Sequence, residues 1–316
     1  MILVVCLNPA LDVTHHVPAV DWAGVNRPTA VYSRPGGKGL NVARTLHALG
    51  ADVLLMGLAG GGTGSVVETA LHRAGLPTAL IPISGETRHT FTIVDGSGAT
   101  ASFNEAGPEV AAVEFNPFRL MYKEALATAE AVALSGSLPP GLPVTTYAEL
   151  IQEAAAAGVP VLLDSNGEAL LRGVSAGPAI VKPNLDELAA VSGRCLSTSA
   201  GVDRAAVSAA AAGLRAAGAE AVVTSLGPAG LLAVTGDGSW HAWPSAVAEG
   251  NATGAGDAVA AALLHAMVLS RPWEERLRHA VALGAATVAA PVAGEFSHDS
   301  YLDGLRPAAV RLEEVR

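Results

Sequence analysis

The chain has 316 residues, of which 50% are hydrophobic, and its formal net charge is −10. This length allows one large α/β domain or two smaller ones with a substantial core. The acidic balance and the absence of a basic block argue against nucleic acid or an anionic membrane as the main partner. An anionic ligand would therefore have to be bound by a few local cations.

The N-terminus and the cysteines indicate where the protein works. The chain opens Met-Ile-Leu-Val-Val with no basic region before it, which is typical of a strand and not of a signal peptide. Cys6 and Cys195 do not have metal-binding spacing and fit a reducing compartment. The longest apolar run, from Ala258 to Leu269, is too short to span a bilayer. We therefore expect a cytoplasmic protein without a membrane partner.

The first third of the chain contains β-prone segments of two kinds. Continuous apolar runs, typical of strands buried on both faces, are Ile2–Cys6, Asp52–Leu58 and Thr78–Ile83. Four runs are interrupted by polar residues: Val13–Val17, Arg27–Ser33, Glu86–Val94 and Ala99–Phe103. We assign these four to a small separate sheet, a lid formed by insertions at about residues 12–34 and 89–104. A helix is predicted after Gly39, and another, Ser65–Ala74, after a flexible glycine turn at residues 60–64.

From residue 116 onward, helical and strand patterns alternate. The predicted helices are Asn116–Ala129, Val144–Ala157, Asp203–Ala217 and one that opens at Pro183. The predicted strands are Ala131–Ser135, Pro160–Asp164, Ala179–Lys182, Ala221–Ser225 and Leu231–Val234. This alternation implies right-handed crossovers and a mainly parallel sheet with helices on both faces. Because no repeat or linker interrupts it, we expect residues 1–316 to form a single domain. The tail after Pro291 carries no clear signal.

A glycine-rich turn at residues 250–257 runs directly into an apolar helix. The first amides of a helix lack internal partners, and the helix dipole there favours an anion. An aspartate at this position is explained if Asp257 acts as a base beside a phosphoryl group held by the amides of Ala255, Gly256 and Asp257, after Gly254. The alternative is a plain loop-to-helix turn with an acidic residue in its first turn.

A second glycine turn, residues 34–44, also leads into a helix and carries Gly37, Lys38 and Asn41. It lacks the spacing of a Walker A loop. Asp12 follows the first strand, and open α/β sheets bind ligands at the carboxyl ends of their strands. The alternatives are an ordinary turn aspartate and a helix start with a solvated lysine.

Two further groups of residues have oxygen atoms that suit a nucleotide and its metal. Asn184 and Glu187 lie three apart at a predicted helix start, and an amide with a carboxylate suits water-mediated Mg²⁺. The alternative is an ordinary capping box. Thr224, Ser225 and Gly227 follow a strand, where hydroxyl and amide groups can contact nucleotide phosphates.

In combination, these motifs resemble the two signatures and the metal-linked motif of the ribokinase/PfkB sugar kinases. They are Gly36-Gly37-Lys38-Gly39-x-Asn41, Thr253-Gly254-Ala255-Gly256-Asp257 and Asn184-x-x-Glu187. Other segments are similar to the phosphosugar branch of that family: Leu7–Asp12, Asn26-Arg27, Glu86-Thr87-Arg88 and Ser135–Gly141. The similarity covers about residues 1–290. It implies an α/β fold, a ribokinase-like three-layer sandwich with a small β-sheet lid.

The resemblance also implies an activity and its residues. The γ-phosphoryl group of ATP would pass to a ketohexose monophosphate, first of all fructose 1-phosphate, with Asp257 as base. Substrate contacts would come from Asp12, Arg27, Gly37, Lys38, Asn41, Arg88 and Ser137. The three cations among them would meet the sugar phosphate. ATP would contact Lys182, Asn184, Thr224, Ser225, Gly227, Gly254 and Gly256, with Mg²⁺ held through water at Asn184 and Glu187. A homodimer through the lid is expected.

One departure from the family pattern leaves open which sugar phosphate accepts the phosphoryl group. The phosphosugar branch often has asparagine and lysine where this chain has Thr90 and Thr92, so fewer charged sugar contacts are expected. Fructose 6-phosphate and tagatose 6-phosphate therefore stand beside fructose 1-phosphate. A kinase for nucleosides or free sugars and a non-catalytic sugar-phosphate sensor are the remaining alternatives, since fold does not fix function.

Overall fold

The structure is a computed structural model, and it describes residues 1–199, 201–290, 294–306 and 308–315. The strands are β1 Ile2–Cys6, β2 Ala10–His16, β3 Ala30–Gly36, β4 Val53–Gly60, β5 Thr78–Ile83, β6 Arg88–Val94, β7 Thr100–Asn104, β8 Ala131–Ser135, β9 Val161–Asp164, β10 Ile180–Val181, β11 Ser197–Thr198, β12 Gly201–Val202, β13 Val222–Ser225, β14 Leu231–Val234, β15 Ser239–Pro244 and β16 Val310–Glu314. The α-helices are α1 Lys38–Ala48, α2 Gly61–Arg73, α3 Ala112–Leu126, α4 Thr146–Ala156, α5 Gly167–Val174, α6 Leu185–Ser192, α7 Arg204–Ala216, α8 Ala255–Val268, α9 Trp273–Val288 and α10 His298–Gly304.

Within these residues, the central sheet has ten strands in the order β16-β15-β14-β13-β10-β9-β8-β1-β4-β5. The strands from β13 to β5 run parallel, whereas β14, β15 and β16 are added antiparallel at one edge. The predicted, mainly parallel sheet is confirmed. Because parallel strands share one carboxyl edge, the loops after β1, β8, β9, β10 and β13 lie on the same side of the molecule.

Side chains of β1 show that the sheet is covered on both faces. Ile2 and Val4 pack into a core with residues of α1, α8 and α9. Leu3 and Val5 point the other way, into a core with residues of α3, α4 and α7. Successive strand residues alternate between faces, so each core receives every second residue. The three-layer α/β/α arrangement is therefore confirmed.

The four polar-interrupted segments form a separate sheet in the order β3-β2-β6-β7. Strand β2 pairs antiparallel with β3 and parallel with β6, and β6 pairs antiparallel with β7. In this register Asp12 lies opposite both Arg34 and Thr90. Val31 and Phe103, which point to the opposite face, are 53% and 50% exposed. This small sheet thus has one polar face and one apolar face.

The glycine run at residues 60–64 is not the flexible turn that its composition predicts. Helix α2 already begins at Gly61. The carboxylate of Glu86, from the loop before β6, accepts hydrogen bonds from the amides of Gly62 and Thr63 at 3.2 and 2.5 Å. A tertiary contact therefore caps this helix and outweighs the low helix propensity of glycine.

Several elements have no counterpart among the predicted ones: α5, α9, α10, β11, β12, β15 and β16. Strand β16 lies in the tail that carries no clear sequence signal, and it pairs with β15 at the sheet edge. In the described ranges, no helix combines the length and apolar character needed to cross a membrane.

Candidate active site

The predicted base lies at the start of α8, where the glycine-rich turn ends. Gly254 is the N-cap residue and has a positive φ of 85°. A Cβ atom at this position would lie 2.5 Å from the Cα atom of Gly294, so the close approach requires glycine. Asp257, in the first turn of the helix, is only 7% exposed. The turn therefore holds a buried carboxylate beside a helix N-terminus.

The environment of Asp257 makes its carboxylate more basic than usual. Burial, together with the nearby negative charge of Asp164, raises its pKa to about 6. A hydrogen bond from Asn41 Nδ2 to Asp257 Oδ2, 2.8 Å long, acts in the opposite direction, as do Lys38 and Lys182. A carboxylate with this pKa is ionised at neutral pH and still accepts a proton readily, as a general base must.

Asn41 is oriented by a residue that the sequence patterns do not reveal. Arg44 donates one hydrogen bond to Asn41 Oδ1 at 3.2 Å and another to the carbonyl of Pro35 at 2.7 Å. Because the amide oxygen is taken by Arg44, the amide nitrogen is directed at Asp257. The two glycine turns of the sequence are joined through this contact.

The backbone amides of the turn differ in whether they already have a hydrogen-bond partner. The amide of Ala255 donates to the carbonyl of Ala252 at 3.1 Å, so it serves the turn itself. The amides of Gly256 and Asp257 have no hydrogen-bond partner among the described residues. Two of the three amides predicted to hold the phosphoryl group therefore remain open at the helix N-terminus.

Four charged residues link this turn to the sheet. Lys38 Nζ lies 3.0 Å from Asp164 Oδ1 and 3.0 Å from Glu187 Oε1, and Lys182 Nζ lies 3.1 Å from Asp164 Oδ2. Burial alone would lower the pKa of Lys38, but Asp164 and Glu187 raise it far above its usual range. Burial would also raise the pKa of Asp164, yet the two lysines hold it below the ordinary value. Lys38 and Asp164 are therefore both charged at neutral pH.

This network of charges concerns one residue that the sequence motifs predict, Lys38, and one that they do not, Asp164. Lys38 pairs with Asp164 and Glu187, and its contact with the sugar phosphate, which the family resemblance implies, stays a prediction. Asp164 was not among the predicted site residues, although it ends a buried strand, the same signal that identifies Asp12.

Asn184 and Glu187 form the capping box that is the alternative to a metal site. Asn184 Oδ1 accepts from the amide of Glu187 at 2.7 Å, and Glu187 Oε2 accepts from the amide of Asn184 at 2.9 Å. Glu187 Oε1 is the atom that faces Lys38. In the part of the chain that the structure describes, no group of three or more His, Cys, Asp or Glu side chains has the arrangement of a metal site.

The sugar-side residues gather where the small sheet meets the first strand of the central sheet. The Asp12 carboxylate lies directly over Gly36, where a Cβ atom would collide with it. Burial raises the pKa of Asp12, while Arg34, Arg88 and a hydrogen bond with Thr90 oppose this effect. Gly37, the N-cap of α1, has a positive φ of 101°. This conformation favours glycine.

Asn8 brings two further predicted residues together. Arg88 Nε donates to the carbonyl of Asn8 at 3.2 Å, and Asn8 Nδ2 donates to Ser137 Oγ at 3.1 Å. Arg88 also donates to the carbonyl of Glu105 at 3.1 Å. Arg27, in contrast, is exposed in the loop between β2 and β3 and makes no hydrogen bond or ion pair with another described residue. Among the described residues, no contact links Arg27 or Lys38 to Arg88.

A cleft of about 700 Å³ lies between the start of α8, helix α9 and the turn after β13. Its lining includes the predicted nucleotide residues Asn184, Ser225, Gly227 and Gly256. Apolar side chains form its far wall: Val247, Val281, Ala285 and Val288. The cleft therefore has an apolar end and, at α8, an end rich in open amides, which suits a nucleotide with its phosphates at the helix.

Three predicted nucleotide residues are not in the lining of the cleft: Gly254, which is the N-cap of α8, Thr224 and Lys182. Thr224 is fully buried, and its Oγ1 has no hydrogen-bond partner among the described residues. Lys182 is 3% exposed, and its Nζ lies 3.6 Å from the position that a Cβ atom of Gly256 would occupy. The lysine charge is therefore directed at the turn that begins α8.

A buried base, open helix amides, two lysines and a nucleotide-sized cleft define a nucleotide-dependent kinase, since phosphoryl transfer depends on positioning and charge stabilisation. A family model described as pfkB family carbohydrate kinase matches residues 1–299. The chain belongs to this family of carbohydrate kinases.

The chain is similar to several proteins named as phosphofructokinases. A 1-phosphofructokinase of Xanthomonas campestris pv. campestris is 35% identical over 271 residues, 84% of each chain. Phosphofructokinase-2 from Escherichia coli in complex with potassium has a TM-score of 0.88 and 31% identity, covering 96% of this chain and 97% of that one. The E. coli enzyme is also known in complex with fructose-6-phosphate. A possible 1-phosphofructokinase from Thermotoga maritima has a TM-score of 0.86 and 25% identity, covering 100% and 99% of the two chains.

Proposed function

We propose that the protein transfers the γ-phosphoryl group of ATP to fructose 1-phosphate and releases fructose 1,6-bisphosphate. The observation that carries this proposal is the position of Asp257. This raised-pKa carboxylate lies at the junction of the nucleotide-sized cleft and the sugar-side residues, and it is hydrogen-bonded to Asn41. The 35% identity to a 1-phosphofructokinase supports the choice of acceptor.

In this mechanism, Asp257 accepts the proton of the attacking sugar hydroxyl. The open amides of Gly256 and Asp257 stabilise the charge on the transferring phosphoryl group, and Lys38 and Lys182 add positive charge beside it. Asp12, Gly37 and Asn41 hold the sugar hydroxyls, and Arg88 meets the phosphate already on the sugar. Because Asp257 is buried, bulk water has little access to the base, which limits its activation of water for ATP hydrolysis.

A bound Mg²⁺ would supply positive charge to the phosphate oxygens of ATP. The side-chain oxygens of Asn184 and Glu187 already take part in the capping box and in the contact with Lys38. Direct ligation would break these contacts, whereas hydrogen bonds to the water shell of a hard cation keep them. The residues present therefore fit a metal held through water.

We further propose that residues 1–316 act as one kinase domain, with the small sheet as a lid over the sugar. Its outer face exposes apolar side chains such as Val31 and Phe103, which supports a homodimer that buries this face. A Phe103→Lys variant should then be monomeric at micromolar concentration by light scattering, and a monomeric unmodified protein would contradict the dimer.

The free thiols of Cys6 and Cys195 support a cytoplasmic location.

A second candidate acceptor is fructose 6-phosphate, because phosphofructokinase-2 from E. coli is known in complex with it. An ADP-release assay with fructose 1-phosphate, fructose 6-phosphate, tagatose 6-phosphate and free fructose distinguishes the candidates. We expect the highest kcat/KM with fructose 1-phosphate. A higher value with another sugar phosphate reassigns the acceptor, and equal efficiency on free fructose removes the phosphosugar specificity. No ADP release with any sugar would indicate a sensor.

A further inference from the structure

The polar face of the small sheet carries a row of side chains that crosses all four strands. Arg34 on β3, Asp12 on β2, Thr90 on β6 and Asn104 on β7 lie directly opposite one another in register. Side chains at paired positions point to the same face. Arg88 lies on β6 two residues before Thr90 and therefore on this same face. The row thus places Arg34 on one side of Asp12 and leaves Arg88 diagonally across from it.

This face is directed at the catalytic turn. Arg34 Nη2 lies 2.9 Å from the position that a Cβ atom of Gly294 would occupy, and Asn41 Oδ1 lies 3.5 Å from the same position. The amide of Gly294 in turn donates to the carbonyl of Thr253, at 3.0 Å, in the glycine turn before α8. Arg34 is therefore close to the residues that hold the base, although it belongs to the small sheet.

Arg34 faces Asp12 across the sheet, but one of its guanidinium nitrogens lacks an acceptor among the described residues. Its Nη1 is shielded from solvent but has no hydrogen-bond partner within the described ranges. A second arginine, Arg44, lies close enough for the charge of Arg34 to lower its pKa, an effect that adds to that of burial. A shielded guanidinium nitrogen without an acceptor, next to another cation, is unfavourable in the empty site. Binding of an anion relieves both the missing hydrogen bond and the repulsion.

We propose that Arg34 binds the phosphate group of the acceptor sugar from the side opposite Arg88. This inference rests on the proposed function, because it assumes a phosphorylated acceptor in the sugar site. A guanidinium presents parallel N–H donors that match phosphate oxygens, and Nη1 has such a donor to offer. The acidic chain requires local cations for such a ligand, and Lys38 is already paired with Asp164 and Glu187. Arg34 therefore acts as a specificity residue for phosphorylated over free sugar.

A purely structural role for Arg34, as a counter-charge for Asp12, makes a different prediction. Asp12 lies among the residues that hold sugar hydroxyls, which free and phosphorylated sugars share. Loss of a structural Arg34 would then weaken both kinds of acceptor by the same factor. Loss of a phosphate ligand would weaken only the phosphorylated one. The ratio of the two efficiencies separates these roles.

The test uses the full chain with Arg34→Gln and Arg34→Lys, and with Arg73→Gln as control. Arg73 is an exposed arginine at the end of α2, so its removal changes the net charge by the same amount. We expect Arg34→Gln to raise KM for fructose 1-phosphate by about 10–100-fold, the usual effect of losing a charged hydrogen bond. KM for ATP, turnover of free fructose and the unfolding temperature should stay near those of the unmodified protein. The KM of Arg34→Lys for fructose 1-phosphate should lie between those of the unmodified protein and Arg34→Gln.

Calorimetric titration without ATP, using fructose 1-phosphate and inorganic phosphate as probes, gives a result that does not depend on turnover. We expect both to bind the unmodified protein and to bind Arg34→Gln about 10–100-fold more weakly. Unchanged affinity in Arg34→Gln, or no binding by the unmodified protein, would overturn the inference, as would equal losses for free and phosphorylated fructose. If the probes bind as expected but no sugar phosphate is turned over, the proposed function fails while the role of Arg34 in phosphate binding stands.

Discussion

Asn41 Nδ2 and Asp257 Oδ2 are 2.8 Å apart, although the two residues are 216 positions apart in the chain. This hydrogen bond joins the glycine turn that begins α1 to the glycine turn that begins α8. It also stabilises the ionised form of Asp257, against the burial that raises the pKa. The contact therefore both positions the proposed base and limits how far its pKa rises.

Replacing Asp257 by asparagine keeps the shape of the side chain and removes its basicity. We expect kcat to fall by about 10²–10⁴-fold, the usual contribution of a positioned base. The affinity for ATP should remain, because the cleft and the open amides are unchanged. Steady-state kinetics and calorimetric ATP binding measure the two effects. Turnover close to that of the unmodified protein would remove Asp257 from its proposed role.

The pH dependence of kcat/KM should report the titration of Asp257. The base is active when ionised, so kcat/KM should fall as pH drops through about 6. The negative charge of Asp164 raises this pKa, and Asp164→Asn removes that charge and also leaves the two lysines less balanced. Both effects favour the ionised base, so the acidic limb of the profile should move to lower pH. Glu124→Gln, on the exposed face of α3, serves as control, and an unmoved limb in Asp164→Asn would contradict the assignment.

The same pKa predicts a stability difference. In the folded protein the pKa of Asp257 is about 6, above the 3.8 of an ordinary aspartate, so the neutral form is favoured by folding. Any stability this preference provides is complete below the unfolded pKa and is lost as pH rises through about 6. Asp257→Asn mimics the neutral form, so at pH 8 its free energy of unfolding should exceed that of the unmodified protein by about 1–3 kcal/mol. Near pH 4 most of this gain should vanish, and denaturant unfolding at the two pH values measures it.

The sequence predicts the fold well because its strongest patterns are local. The apolar runs of β1 and β5 and the glycine turns before α1 and α8 depend on residues that are neighbours in the chain. The start of α2 does not, because Glu86 caps it from another loop. Strand β16 has an ordinary composition and becomes a strand only by pairing with β15.

The residues of the candidate site were likewise predictable where they belong to a local motif. Asp12, Asn41 and Asp257 stand in recognisable motifs, and the structure gathers them. The partners of Lys38 were not predictable, since Asp164 and Glu187 reach it from distant elements. Arg34 and Arg44 lie at the two ends of a glycine motif, yet only the register of β2 with β3 and the turn of α1 bring them to Asp12 and Asn41. Chain distance hides the contacts of Lys38 and Arg34 from any local pattern, whereas Asn41 and Arg44 lie three residues apart on one helix, a spacing that the sequence does show.

The proposed water-mediated metal site predicts a change in metal requirement. Glu187→Gln keeps a side chain that can complete the capping box but removes the charge. We expect activity to require Mg²⁺ or Mn²⁺, and the half-saturating Mg²⁺ concentration to rise by about tenfold in the variant. Titration of Mg²⁺ at fixed ATP measures this, with Glu124→Gln as a charge-matched control. Activity that survives full chelation would show that the roles of Asn184 and Glu187 are wrong.

A buried histidine forms a hydrogen bond with the turn that borders the nucleotide cleft. His241 Nε2 donates to the carbonyl of Ala229 at 2.8 Å, in the short turn after β13. Arg204 donates to His241 Nδ1 at 2.8 Å and contacts Glu313 of β16 at 2.6 Å. The ring of Trp243 stacks on the imidazole, with centroids 4.4 Å apart. The C-terminal strand is thus connected to the nucleotide cleft through three polar contacts.

His241→Ala should therefore weaken nucleotide binding and leave the acceptor side intact. Loss of one hydrogen bond, about 0.5–1.5 kcal/mol, corresponds to a rise in KM for ATP of about threefold to tenfold. KM for the sugar phosphate should not change, because none of its proposed ligands contacts this turn. Glu313→Gln should produce a smaller effect of the same kind, since Glu313 contacts Arg204 and the Nδ1 side of His241 but not the turn itself. Glu314→Gln on the neighbouring residue is the control. Initial-rate kinetics with each substrate varied in turn measure both constants. Equal changes in the two constants would indicate a general loss of structure and would remove His241 from a positioning role.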